Sequence, residues 1–487
     1  MSQVRKSKKR PFADRVNKFI GEFPDLFYNG AIIICKVCER DLMCWDKRDC
    51  KRHVNSVQHK NKKNGVPLTT QFMFDLQLMF IACNIPLHIL DKQPFRDFWN
   101  KYNPQLPLPS RAALCNYLPT AREDIVGKIK CLLKNTWLWL CVDETTDCKK
   151  NSIVNVIVRV LDSVKPTLPL LLVSKRLSEC TGETVTRVVL ETLEKFELST
   201  SQVLIFVTDG AVTMGLVGRS LQEHGCRFVH ITCKVHALNL VAETICQGFP
   251  KVDKLIANTK KVFLKSPKRL QVFRSQCPDI PEPPQPILTC WGTWLQAALY
   301  YAKYFQQIKA VIGQFNPKET VAIKECQTAF ENSDIESDLQ TIHSNYSSLH
   351  DAIGKLKNSA LSFADSVQIL DEVNRLLNTI DDAKNECVRE KFASVLEEDA
   401  GFTRLRQICD GTVSECSDPL YEFKDHFKYA CITSIDVEWS FSKYNHIFSP
   451  QRTSLAETTI ETYLMLQSYY TASPVCFKTE NEPSTSS

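Results

Sequence analysis

Two stretches of the chain end an apolar run in a carboxylate, and this pairing is the first sign of chemistry. "WLWLCVDETTDC" (137–148) passes from Trp and Leu into Asp143, Glu144 and Asp147, and "QVLIFVTDGA" (202–211) stops at Asp209. A single Asp after a buried run is usually a turn or a helix cap. Two can stand together at one sheet edge when their strands are neighbours, and there they repel unless a divalent cation lies between them. Glu144 and Asp147 are read as turn residues or supports around that edge.

A second constellation lies upstream. In "AIIICKVCERDLMCWDKRDCKRHVNSVQHKNKK", two residues separate Cys35 from Cys38, fourteen lead on to His53, and five more to His59. Tetrahedral zinc takes two thiolates from a tight knuckle and two imidazoles about a helical turn apart, so this spacing predicts a structural zinc site. Cys44 and Cys50 have no partner at zinc spacing. Lys47, Arg48, Lys51 and Arg52 fall on the helix-compatible stretch, where a finger helix meets a groove of double-stranded DNA or its phosphates. A protein-binding finger is the other reading.

These residues need elements to hold them. The chain has 487 residues, enough for two to four domains, and its 44% apolar content is that of a folded chain. It has no apolar run of membrane-spanning length, and "MSQVRKSKKRP" is basic where a signal peptide would turn apolar. A soluble intracellular protein without a membrane partner is expected, its 21 cysteines serving as thiols or metal ligands. Residues 1–64 hold 16 Lys/Arg against 7 Asp/Glu, a net +9, which leaves −4 on the rest of a chain whose total is +5. Such an arm suits phosphate backbones, and equally a solubilising tail or an import signal.

The strand-like "AIIIC" and the helix after it predict a ββα finger. Residues 70–135 read as helices: "TTQFMFDLQLMFIACNIPLHIL", "PFRDFWNKY" and "PSRAALCNYL", the last two opening on Pro as a first helical turn tolerates. Next come three strand-like runs, "WLWLCVDETTD", "SIVNVIVRVLD" and "PTLPLLLVSKRL", then a helix, "GETVTRVVLETLEKFEL". "QVLIFVTDGA", a helix, "RFVHIT" and the helix "CKVHALNLVAETI" complete an α/β unit with a mixed sheet covered by helices on both faces. "GAVTMG" (210–215) begins like a phosphate-binding loop, but Leu216 and Val217 stand where Lys and Ser/Thr are required, which excludes a nucleoside-triphosphate site of that type.

Four stretches together resemble the hAT-type DNA transposases: "CVDETTD", "VTDGA", "CKVHALNLV" and "TSIDVEWSFSKYNHIFSPQRTSLAETTIETYLML". The finger resembles the BED-type finger common in that family, and finger plus helical segment through "ACNIPLHILDKQPFRDFW" is similar to the nuclear CGG triplet repeat-binding proteins. The resemblance implies an RNase H-like mixed-sheet core with a helical insertion, and a catalytic triad on Asp143, Asp209 and Glu438. Glu438 comes from the resemblance alone. Such a triad holds two magnesium or manganese ions, which lower the pKa of an attacking water or 3′-hydroxyl and stabilise the leaving oxygen. The resemblance also places His236, in a C-x2-H element with Cys233, near the DNA end, and Trp291 where an aromatic stacks on a flipped base. From the residues alone, Cys233 and His236 read as a packed thiol and a hydrogen-bonded imidazole, and Trp291 equally as a core Trp.

The implied organisation is a basic arm and finger (1–64), a helical docking or dimerisation segment (65–135), the first part of the core (136–276), a linker and helical insertion (277–424), the end of the core with a C-terminal dimerisation region (425–472), and a disordered tail from Ser473. Ser454 and Glu457 form a capping box before a helix whose Ile460, Tyr463, Leu464 and Gln467 stripe meets either the core or a second subunit. Three departures stand out: Cys290 and Trp439 replace arginines of the family pattern, and the insertion is short. The expectation is therefore a nuclear, zinc-dependent DNA-binding protein and homo-oligomer of transposase descent, acting as a regulator, with an active transposase or a protein-interaction adaptor as alternatives.

Overall fold

The computed structural model describes residues 16–30, 32–38, 40–42, 46–56, 59, 70–264, 266–285, 292–450, 453 and 455–472. Cys44, Cys290, Trp291, Ser454 and the tail from Ser473 lie outside the described residues. The chain divides at Ile125/Val126 into two compact units.

The first unit opens with a sheet of three short antiparallel strands, β1 (Leu26–Tyr28), β2 (Ile33–Cys35) and β3 (Arg40–Leu42), in that order. Helix α1 (Lys47–Val54) follows, capped by the Asp46 carboxylate, which accepts from the Asp49 amide. The expected ββα finger thus has a third strand, β1, contributed by "LFY" ahead of the sequence motif. Val16, Phe23, Leu26, Ile33 and Cys50 make its small core. Three helices come next: α2 (Thr70–Ala82), α3 (Gln93–Tyr102) and α4 (Arg111–Leu133). Pro94 sits in the first turn of α3, whereas α4 starts after Ser110 and carries Pro119 in its interior.

The second unit is built on a five-stranded mixed sheet. Its strands are β4 (Leu138–Thr146), β5 (Ser152–Val160), β6 (Leu170–Leu177), β7 (Val203–Thr208) and β8 (Val229–Thr232), in the spatial order β6-β5-β4-β7-β8. β4, β5 and β6 pair antiparallel, while β7 and β8 run parallel to β4. Leu138 through Asp143 and all of β7 are buried, because a central strand covered on both faces needs a continuous apolar run rather than an alternating one. Helices α5 (Gly182–Lys195), α6 (Val212–Glu223), α7 (Lys234–Gly248), α8 (Pro250–Leu264) and α9 (Pro267–Gln276) alternate with or follow the parallel strands.

A helical stretch then intervenes: α10 (Thr293–Gly313), α11 (Val321–Phe330), α12 (Ser333–Leu356), α13 (Phe363–Thr379), α14 (Ala383–Glu397) and α15 (Ala400–Asp410). α12 and α14 pack against α7, and α15 packs on β8. The chain returns through residues 431–434, where the Cys431 carbonyl accepts from the Trp139 indole at 2.6 Å and the Ile432 carbonyl accepts from the Lys234 amide at 3.0 Å. Helix α16 (Ile435–Ile447) lies on β4 and β5, and α17 (Glu457–Ala472) lies along β6. The stripe of Ile460, Tyr463 and Leu464 is buried within this chain, with Gln467 half-buried. Glu457, the described half of the expected capping box, accepts from the Arg176 amide of β6 at 2.7 Å. Ser468 accepts from the Leu171 amide of the same strand at 3.1 Å. Among the described residues, no helix is long and apolar enough to cross a membrane.

Candidate functional sites

The finger brings its four predicted ligands together. Potential donor atoms of Cys35, Cys38, His53 and His59 all lie within 4.8 Å of one another. Cys35 ends β2 and Cys38 lies in the knuckle after it, His53 comes from the buried face of α1, and His59 from beyond that helix. The His59 Nδ1 is 3.3 Å from the Cys35 Sγ and 3.6 Å from the Cys38 Sγ. Tetrahedral zinc, with its ordinary Zn–S and Zn–N bonds, sets a thiolate and an imidazole about 3.6 Å apart, so the cluster fits a structural zinc ion. The Asp25 carboxylate lies 3.0 Å from the other ring nitrogen, Nε2. A carboxylate there fixes the tautomer that leaves Nδ1 free to ligate. No local spacing marks Asp25, which meets His59 across 34 residues. Cys50 is fully buried on the inner side of α1.

Lys47, Arg48, Lys51 and Arg52 occupy the outer face of α1, as their i, i+4 spacing requires. Three of them have acidic neighbours: Lys47 with Glu22, Arg48 with Asp46, and Arg52 with Asp49. Arg48 and Arg52 nonetheless remain 88% and 82% exposed, so those contacts are easily exchanged for other anions.

The second site lies at one end of the five-stranded sheet. Cys141 of β4 pairs with Val207 of β7, and two residues beyond each stand Asp143 and Asp209. The register therefore delivers both carboxylates to the same sheet end. His236 sits in the first turn of α7, and Glu438 in the first turn of α16. Donor atoms of Asp143, His236 and Glu438 lie within 4.8 Å of one another, with the His236 Nε2 3.9 Å from a Glu438 oxygen. Asp209 is outside that triplet; its carboxylate accepts from the Ala211 amide at 3.1 Å, but its charge is felt by both Asp143 and Glu438.

Electrostatics show what is unusual here. Asp143 is 4% exposed; one oxygen accepts from the Glu144 amide at 2.8 Å, and the other, Oδ2, is buried with no hydrogen-bond partner among the described residues. Burial pushes its carboxyl well above the usual range, Asp209 and Glu438 push the same way, and His236 pulls back. Burial likewise raises Glu438, with Asp209 adding to it and His236 opposing. Burial opposes charge on His236, but Cys233, Asp143 and Glu438 outweigh it and push the imidazole up to about 9. The cluster thus favours the charged form of the imidazole, which opposes the repulsion among the carboxylates around it. Its Nδ1 lies 3.3 Å from the Ser434 hydroxyl, while the buried Cys233 Sγ accepts from the Ser434 amide at 3.1 Å.

The sheet end therefore gathers Asp143, His236 and Glu438 tightly, with Asp209 beside them. His236, which the residues alone suggest is only a packed side chain, belongs to the cluster. A signal for it was present: an imidazole opening the helix that follows a parallel strand stands at the same sheet end as the carboxylates. Glu144 and Asp147 stay outside. Asp147 closes the β4–β5 connection by accepting from the Lys149 and Asn151 amides at 2.8 and 2.9 Å. A search of known protein families finds none that matches the chain, and no curated protein matches it.

Proposed function

We propose that the chain is a zinc-dependent, nuclear DNA-binding protein of hAT transposase descent that regulates transcription or chromatin. The observation that carries this reading is the Cys35–Cys38–His53–His59 cluster beneath a helix whose outer face presents Lys47, Arg48, Lys51 and Arg52. Closing the cluster on zinc fixes that helix, and its basic face supplies the charge that attracts phosphates. Homo-oligomerisation through the C-terminal region is part of the proposal. Since the Ile460–Tyr463–Leu464 stripe is already covered, a second copy would use other faces of that region.

A second reading, an active transposase that cleaves and joins DNA, is favoured by the buried Asp143 Oδ2, which has no hydrogen-bond partner among the described residues. The strand order, three antiparallel strands continued by two parallel ones, supports an RNase H-like core. Asp143, Asp209 and Glu438 would hold magnesium or manganese, which supplies activation of an attacking hydroxyl and stabilisation of the leaving oxygen. The residues' own part is to converge from β4, the turn that ends β7, and a helix, while His236 limits their mutual repulsion.

The test compares wild type with Asp143→Asn on supercoiled plasmid, with zinc and either magnesium or manganese, scoring binding and nicking separately. Binding by both proteins without nicking supports the regulator. Nicking lost in Asp143→Asn establishes the transposase. Absence of DNA binding overturns both and leaves a protein-interaction adaptor.

A further inference from the structure

Each of three elements at the acidic sheet end carries a large apolar side chain in solvent close to its site residue. Val212 follows Asp209 by three residues and is 81% exposed; Leu240 stands one turn beyond His236 at 41%; Trp439 directly follows Glu438 at 56%. Singly exposed apolar side chains are ordinary, and it is the pairing of one of them with an unpaired cation that is informative here. Helix α16 indicates what meets this surface. Lys443 lies one turn beyond Trp439 on the same helix face, about 5–6 Å along. It is half-buried and makes no hydrogen bond or ion pair among the described residues. Burial depresses its basicity, as it does for a cation held out of water without an anion. Ser442 and His446 complete the exposed stripe.

A flat apolar face and a half-buried cation one turn apart match the two parts of a nucleotide, the base and its phosphate. We propose that Trp439 and Lys443 bind one unpaired nucleotide of a DNA strand running across the Asp143–Glu438 site, Trp439 stacking on the base and Lys443 pairing with the adjacent phosphate. The inference rests on the DNA reading above and adds to it a preference for unpaired over paired ends. A protein partner would have to bring a carboxylate and an apolar side chain from separate residues, whereas a nucleotide carries its anion and its aromatic face in one unit. Stacking on an aromatic tolerates any base, so the preference is for strandedness rather than sequence.

Fluorescence anisotropy of the full chain with zinc tests this, using a labelled blunt duplex and the same duplex with a 3′ thymidine overhang. Wild type is expected to bind the overhang more tightly. Trp439→Ala should weaken overhang binding about tenfold and leave the blunt duplex unchanged, while Trp439→Phe stays within about threefold of wild type. Lys443→Ala should lower the salt slope on the overhang by about 0.7. Because Trp439 is exposed, its variants should unfold at the wild-type midpoint. Duplex binding with no overhang preference, or a preference untouched by Trp439→Ala, overturns this inference alone. Equal weakening by Ala and Phe also overturns it, since stacking would then not be the cause. Failure of wild type to bind either probe overturns the DNA reading as well.

Discussion

Arg159 and Asp436 meet in a two-pronged ion pair, Nε to Oδ2 at 2.6 Å and Nη2 to Oδ1 at 2.8 Å, with both side chains almost wholly buried. Arg159 stands on β5, and Asp436 lies in the first turn of α16, two residues before Glu438. The guanidinium also donates to the Thr167 carbonyl and the Ser359 hydroxyl, and lies over the Trp139 ring. This one side chain ties the sheet, the connection after α12 and the Glu438 helix together, and so sets where Glu438 approaches Asp143.

Arg159→Met should therefore destabilise the second unit strongly, because Asp436 is left charged and buried alone. The expected loss is about 3–5 kcal/mol in denaturant unfolding. Arg159→Met combined with Asp436→Leu should recover most of it, since removing both partners leaves no orphaned charge.

Asp143→Asn should make the protein more stable at neutral pH. A carboxyl whose folded-state pKa is raised contributes stability below the ordinary carboxylate range and loses it as pH rises. The Asn variant should thus melt a few degrees above wild type at neutral pH and converge with it in acid, as read by calorimetry. Under the transposase reading, magnesium or manganese raises the wild-type midpoint and leaves the variant unmoved.

Zinc removal should unfold the small sheet and α1 while sparing the large one. Hydrogen exchange after chelation is expected to lose protection in residues 26–59 and keep it in β4 and β7. Asp25→Ala should weaken zinc binding about 10- to 100-fold in competition with a chelating dye, because His59 loses its orienting carboxylate.

Gly401→Ala should destabilise by about 1–3 kcal/mol, since a Cβ there would overlap the His230 carbonyl oxygen and push α15 off β8. Gly354→Ala in α12, where a Cβ meets nothing within 4 Å among the described residues, should instead gain about 0.5–1 kcal/mol. Unfolding midpoints of the two variants should move in opposite directions.

What the sequence made legible was local. β4 and β7 show as continuous apolar runs because both faces are buried, and the zinc ligands show because a knuckle and a helix turn impose fixed spacings. β1 escaped notice because three residues carry no periodicity, and the length of α4 because Pro119 reads as a break. The packing that joins His236 to Asp143 and Glu438 is set by the return of the chain after the helical stretch, more than 190 residues later in the case of Ser434 and His236. No window of sequence contains that contact. The same holds for Arg159 and Asp436, separated by 277 residues.

Both outer strands of the large sheet have main-chain donors satisfied from within. The Arg176 amide of β6 is taken by Glu457, the Leu171 amide by Ser468, and the Thr232 amide of β8 by Asp399, which also caps α15. Those three donors are not free to pair with a strand from another molecule, and α17 along β6 and α15 on β8 cover the rims further. Recruitment by strand addition is disfavoured at both rims, which directs contact with other macromolecules to helix faces and the finger. Loss of α17 would reopen one rim and create a site for edge-to-edge aggregation.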